Sequence, residues 1–334
     1  MKTYSLFDKP LKVFGVPFFE KNKKLVRIPD ELIEQLPNLA HLGRRCPGAR
    51  LAFKTDSPTF TVKVTLKTLS VDIGMSLYAC QSAHIMVGER ENAQHLGVVN
   101  PPDYSTKVFE KTFSKSSDLE QVTVYFPRNE QLENIEISIE DDANITEPTP
   151  YKYEKPIVFY GSSITEGGCC CNHTNAYNAI LSRWLDFDFY NLGFSSNAKG
   201  ELVMADYINT FDMGVFVYDY DHNAPTVEHL ANTHKPFFDR IREAHPNIPI
   251  LMMTRPAEVY NNDMKARRDI VKATYNAAVA AGDKNVYFID GETFYGETDR
   301  NLCSVDNCHP NDLGFFRMAN VIRPVLKEML DSTI

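Results

Sequence analysis

The chain changes rhythm near its middle. Between residues 50 and 140 apolar and polar residues alternate. In "FTVKVTL", Phe60, Val62, Val64 and Leu66 share one face and Thr61, Lys63 and Thr65 the other, which is the period of a half-buried strand. "QVTVYF" and "NIEISI" repeat that period, with turn residues between them. Several short strands at close spacing, with no helical stretch among them, predict an antiparallel β-sandwich. A short helix-like piece, "IPDELIEQL", precedes it, and the acidic, proline-bearing "EDDANITEPTPYKYEKP" follows as a linker. Beyond residue 156 the apolar runs "IVFY", "FDFYNLGF", "MGVFVYDY", "IPILMMT" and "NVYFID" alternate with segments of helical character. Two of these segments are "HLANTHKPFFDRIREAH" and "MKARRDIVKATYNAAVAAG", the second stopping at Gly282. A last one, "NDLGFFRMANVIRPVLKEMLDS", has Asn311 or Asp312 to cap it. Five buried strands alternating with helices predict a mostly parallel sheet covered on both faces. The expected organisation is a β-sandwich over residues 1–150 and a three-layer α/β/α domain over residues 151–334.

Composition narrows the partners. A 334-residue chain, 43% hydrophobic, buries a full core without disulfide or metal staples. Its formal charge of −9 argues against a nucleic-acid partner. No apolar stretch is long enough to span a bilayer, and the opening "MKTYSLFDKPLKVFG" lacks the apolar core of a signal peptide. Seven cysteines, three of them adjacent (Cys169, Cys170, Cys171), make a poor disulfide framework. The expectation is a reduced, cytoplasmic protein without membrane contact. The sequons at Asn144 and Asn172 then carry no glycan. Homo-oligomerisation is left open.

The candidate chemistry gathers at strand ends, where open α/β sheets place their ligands. A metal reading would use Cys169 to Cys171 with His173, or Cys303, Cys308 and His309, but paired CxxC spacing is absent. HExxH, P-loop, GxGxxG and GxSxG are absent too. What remains is a set suited to acyl transfer, with a nucleophile, a base, a group orienting the base and oxyanion donors. Ser162 and Ser163 follow the first run, Gly193 ends the second, and Asn223 follows the third. Asp306 stands three residues before His309 after the fifth. Singly each has a plainer reading, His309 as a helix-start residue, Gly193 as a turn, Asn223 as a cap. Their joint order favours function.

At these residues the chain resembles the SGNH (GDSL-type) hydrolases. "YGSSITEGG" is similar to the family's first block with Ser163 at the nucleophile position, and "DNCHP" matches its closing Asp-x-x-His. Gly193 in "NLGFSSN" and Asn223 in "DYDHN" match its oxyanion glycine and asparagine. Two blocks depart from the pattern. Ser162 stands where an aspartate is usual, and Asp221 and Ala224 replace the glycine and aspartate around the third-block asparagine. The first half resembles, more loosely, the jelly-roll-like sandwich that precedes the catalytic domain in two-domain SGNH carbohydrate esterases, chiefly in "MSLYACQSAHIMVG".

The resemblance implies a serine esterase in which Ser163 attacks, His309 takes its proton and Asp306 orients the imidazole. The N–H groups of Ser163 and Gly193 and the Asn223 amide would hold the oxyanion, and no metal or organic cofactor would be needed. The substrate it implies is an acetylated sugar or oligosaccharide. Ser162, Tyr220, Asp221 and Arg255 are candidate substrate contacts, with Tyr160, Tyr218 and Trp184 also available for sugar stacking. The rivals are a short-chain lipase-like or thioester hydrolase and a carbohydrate-binding protein with an inactive hydrolase domain. The adjacent cysteines are expected to line their loop and pack.

Overall fold

The computed structural model describes all residues except Val71 and Ile73. Alternation in the first half builds two antiparallel sheets. One runs Lys2–Ser5, Leu132–Ile139, Thr59–Leu66, Val108–Ser114; the other runs Ile145–Thr146, Arg50–Thr55, Glu120–Tyr125, Ala83–Val87, Gln94–Val99. Lys12–Phe14 pairs with Arg50–Thr55 on the second sheet. Phe60, Val62, Val64 and Leu66 face inward as the period of two requires, and they meet Leu51, Phe53, Val122, Val124, Ile135 and Ile137 in one sandwich core.

The second half is a five-stranded parallel sheet. Its strands are Tyr153–Gly161 (β1), Phe187–Gly193 (β2), Val215–Asp219 (β3), Ile250–Met253 (β4) and Val286–Ile289 (β5), in the order β2-β1-β3-β4-β5. Each of the five apolar runs forms one of them. Side chains alternate between the two faces. Ile157, Phe159, Val215, Val217, Leu251 and Met253 pack under two helices, Tyr177–Leu185 and Asp312–Asp331. Val158, Tyr160, Phe216, Tyr218, Ile250 and Met252 pack under Leu202–Ile208, Val227–Ala244 and Asn262–Ala280. The caps follow the sequence, since Asn311 Oδ1 accepts from Gly314 N at 3.1 Å and the chain leaves Asn262–Ala280 through Gly282 at φ 89°. Among the described residues no helix is long and apolar enough to cross a membrane.

The boundary near residue 150 is less clean than the change in rhythm suggests. Ile28, Leu32, Ile33, Leu39 and Leu42 belong by sequence to the first half, yet they are buried in the second face of the parallel sheet. Helix Asp30–Gln35, with polar residues outward and Leu32 and Ile33 inward, is therefore part of the α/β layer rather than of the sandwich.

Candidate active site

The site lies where β1 stops. Its last residue, Gly161, must be a glycine, because a Cβ there would fall 1.8 Å from Asp219 Oδ1 and 2.3 Å from Thr165 Oγ1. Ser162 caps the short helix Ser163–Glu166, its Oγ accepting from Ile164 N at 3.1 Å. Ser163 is thus the first helical residue, presented at the strand end. The loop before helix Asp312–Asp331 returns His309 to it. Ser163 Oγ lies 2.9 Å from His309 Nε2, and His309 Nδ1 lies 2.7 Å from Asp306 Oδ2. Asp306 Oδ1 accepts the N–H groups of Cys308 (3.0 Å) and His309 (2.7 Å). Burial alone would raise the Asp306 carboxyl; those N–H groups and the His309 ring hold it below the usual carboxylate range. The three side chains form a hydrogen-bonded chain from hydroxyl through imidazole to a carboxylate held in its charged form.

Asn223 stands just past the end of β3. Its Nδ2 donates to Phe194 O at 3.0 Å, which uses one of two amide hydrogens and ties it to the loop after β2. It does not cap the next helix; Thr226 does, accepting from His229 N at 3.0 Å. Gly193 sits differently from expectation. Its N–H donates to Asn191 Oδ1 at 2.9 Å and is not free for an oxyanion. What requires glycine there is space, since a Cβ would lie 2.2 Å from Glu166 N. Three residues on, Ser196 holds φ 59°, a left-handed conformation that costs a non-glycine residue energy and concentrates at functional turns. Only a glycine or asparagine would have signalled that turn in the sequence.

The expected sugar contacts divide. Arg255 lies at the site, its Nη2 donating to Asn307 O at 3.0 Å and its backbone N to Asp221 Oδ2 at 3.3 Å. Asp221 is buried beneath, with its carbonyl taken by Arg267. Ser162 is a buried cap. Tyr160, Tyr218 and Tyr220 are core residues rather than contacts, stacked among themselves and on Phe237. The Tyr220 hydroxyl is spent on Thr233. Trp184 meets Phe316 and Arg323 on the helical surface. A groove of about 620 Å³ lies beside Arg242, Gly282 and Asn285, at the end of the sheet where β4 and β5 begin, and holds none of these groups.

The cysteines also divide. Cys170 is buried with its thiol on Gly167 O, whereas Cys171 is exposed. Cys308 adjoins His222; although burial opposes the thiolate, that imidazole holds the thiol below its ordinary value. Burial opposes charge on His222 as well, and Asp221 and Cys308 hold it up to about 9. Among the described residues no three His, Cys, Asp or Glu side chains gather into a group able to hold a metal ion.

Two family models match the chain. The GDSL-like lipase/acylhydrolase family covers residues 154–327, and the N-terminus of SGNH-hydrolase-type esterases covers residues 4–145. Among solved structures, a protein from Bacteroides ovatus described as a GDSL-like lipase is 26% identical, with TM-score 0.87 over 99% of this chain and 98% of its own. The salicylyl-acyltransferase SsfX3 of a tetracycline biosynthetic pathway is 19% identical, with TM-score 0.79 over 98% and 97%. A family two carbohydrate esterase from Clostridium thermocellum, in complex with cellohexaose, is 16% identical, with TM-score 0.62 over 85% and 93%. The last two are likenesses of fold. No curated protein sequence matches. Fold and comparisons define a carboxylic ester hydrolase of the SGNH type. The chain belongs to the GDSL-like lipase/acylhydrolase family.

Proposed function

We infer that the protein removes small acyl groups, acetyl above all, from the hydroxyls of sugars or oligosaccharides. The observation that carries the chemistry is the Ser163–His309–Asp306 chain with spacings of 2.9 and 2.7 Å. Ser163 Oγ attacks the ester carbonyl as its proton passes to His309 Nε2, and the carbonyl electron pair moves onto oxygen. The Ser163 N–H and the second hydrogen of Asn223 Nδ2 face that oxyanion. The loop Phe194–Asn197, which Asn223 grips, supplies the remaining backbone donor, with left-handed Ser196 at its tip. Gly193 serves through its missing side chain. Collapse expels the sugar hydroxyl with the proton from His309, and water repeats the sequence to release the acid.

The sugar half of the reading is supported by the carbohydrate esterases that share the fold, one of them holding cellohexaose. Its residue candidates reduce to Arg255, since the tyrosines are buried. Acetate release from acetylated manno-, xylo- and chito-oligosaccharides is the test, run beside p-nitrophenyl acetate, butyrate and octanoate. Faster turnover of an acetylated oligosaccharide than of any simple ester supports the reading. Preference for the octanoate or for a thioester replaces it with the lipase-like alternative. Oligosaccharide binding without turnover would make the protein a binding module with an inactive site.

A further inference from the structure

Glu166, the last residue of the nucleophile helix, is buried at 1% exposure and lies at the junction of three parts of the chain. Its Oε2 accepts the backbone N–H of Ser195, in the loop after β2, at 3.1 Å. Its Oε1 lies 3.5 Å from Arg27 Nη2 and its Oε2 3.7 Å from Arg128 Nη2. Arg128 Nε also donates to the Glu166 carbonyl at 3.2 Å. Both arginines precede residue 150, so one carboxylate of the α/β layer is held between two cations from the first half.

Arg27 shows how specific the arrangement is. A guanidinium has five N–H groups in a fixed plane, and here each has an acceptor. Nε reaches Arg45 O (2.9 Å) and Nη2 reaches Leu42 O (2.6 Å) and Glu166 Oε1. Nη1 reaches Asn191 O (2.9 Å) and Gly193 O (2.5 Å). The guanidinium also lies over the Phe194 ring at 4.6 Å. Arg27 therefore grips the end of β2 and the start of the oxyanion loop with the same plane that faces Glu166. Arg128 is tied in turn to the sandwich side through Met75 Sδ (3.0 Å) and Asn129 Oδ1 (2.5 Å). Gly168, just past the nucleophile helix, passes so close to Arg128 that a Cβ there would sit 3.4 Å from Nη2.

We propose that Glu166 is a positioning residue of the esterase, and that Arg27 and Arg128 of the first half act through it to fix the nucleophile turn against the oxyanion loop. Structural support alone does not call for this geometry. A buried charged triad is a poor source of stability compared with apolar packing, yet this one links Ser163's own helix to Ser195 directly through Glu166 and to the Gly193 carbonyl through Arg27. Attack on a carbonyl needs nucleophile and oxyanion donors in fixed mutual register, and a displacement of about 1 Å costs on the order of 10²-fold in rate. Ser163 and the loop around Phe194 stand on different strands, and the Arg27–Glu166–Arg128 group is a link between those strands. The sandwich side is then an integral part of the active site without touching substrate.

The inference rests on the esterase reading, so the experiment carries a control for that reading. Glu166→Gln, Arg128→Ala, Arg128→Lys and Ser163→Ala are made in the full chain and assayed on p-nitrophenyl acetate. A phosphonate that labels the serine counts active sites in the variants that keep it. Glu166→Gln keeps the size and an acceptor for Ser195 N–H but loses the charge. It should lower kcat per titrated site by ~10–100-fold with KM within about twofold, because the bond-making geometry changes and substrate contacts do not. Arg128→Ala should fall further than Arg128→Lys, which restores the cation without the Nε bond, again with little change in KM. If kcat per titrated site stays at the wild-type value in Glu166→Gln while the melting temperature falls, the group is scaffolding and the inference is wrong. Should Arg128→Ala fail to fold, the isosteric Glu166→Gln decides alone. Full activity in Ser163→Ala would instead remove the esterase reading itself.

Discussion

The strand Thr59–Leu66 of the sandwich buries every second residue, whereas β3, Val215–Asp219, buries all five. The outward side of the first carries Thr61 and Lys63, bonded to Thr112 and Glu136 across neighbouring strands. β3 lies between β1 and β4 with helices on both faces, so no position along it meets solvent or a ligand. The contrast assigns work to different places. A sandwich strand can change its outer side chains at little cost. A parallel strand can offer chemistry only where it ends, and Ser163, the Gly193 loop and Asn223 all stand just past such ends.

The sharpest way to break the contrast is at a strand end. Ser163→Ala should cut turnover of p-nitrophenyl acetate by roughly 10⁶-fold while leaving the melting temperature near wild type. Ser162→Ala loses a helix cap worth about 1 kcal/mol and should keep most activity. The reverse pattern in kcat would move the nucleophile by one residue. Next comes Asn223→Ala, expected to lower kcat by ~10²–10³-fold at nearly constant KM. Because Thr226 caps the following helix, its melting temperature should hardly change. A lowered melting temperature with normal kcat would take Asn223 out of the oxyanion hole.

Within the strands the effects pass to stability. Ile137→Ala, fully buried in the sandwich core, should cost ~2–5 kcal/mol in urea unfolding. Activity per folded molecule should survive. Thr61→Ala on an outer face should cost no more than about 1 kcal/mol. Equal costs at the two positions would contradict the one-sided burial.

Asp219 ends β3 directly beneath the nucleophile turn, taking the Thr165 hydroxyl and the Ser162 N–H. Burial pushes its carboxyl up to about 7. A carboxyl raised on folding stabilises the protein fully below its unfolded value, near 4, and loses that contribution as pH rises through about 7. The loss is at most a few kcal/mol. Asp219→Asn should therefore flatten the fall in melting temperature between pH 4 and 8. An identical pH dependence in wild type and variant would mean that Asp219 is charged throughout.

The periodic parts of this architecture were legible in the chain. The five runs from "IVFY" to "NVYFID" are β1 to β5, and the Phe60–Leu66 alternation is the inner face of the sandwich. The helix Tyr177–Leu185 went unmarked because "YNAILSRWL" buries most of its circumference and leaves no polar stripe to reveal a period. Side-chain fate was harder to read than backbone pattern. Tyr160, Tyr218 and Tyr220 resemble sugar platforms by type and are core by packing. Gly193 matches a motif, yet its N–H is taken by a side chain two residues away. The Arg27–Glu166 contact joins residues 139 apart, and no spacing rule connects them.

The short strand Ile145–Thr146 stays paired with Lys54 and Thr55 on the far side of the exposed turn at Asp141 and Asp142. A protease nick in that turn would leave each fragment incomplete. The first would lack an edge strand of its sandwich, and the second would lack Ile28–Leu42 from its helical layer. The two pieces would remain one particle in gel filtration and separate only on denaturation. Reassembly from separately made fragments would then restore the fold and the active site together, as a reporter of the meeting of the two halves.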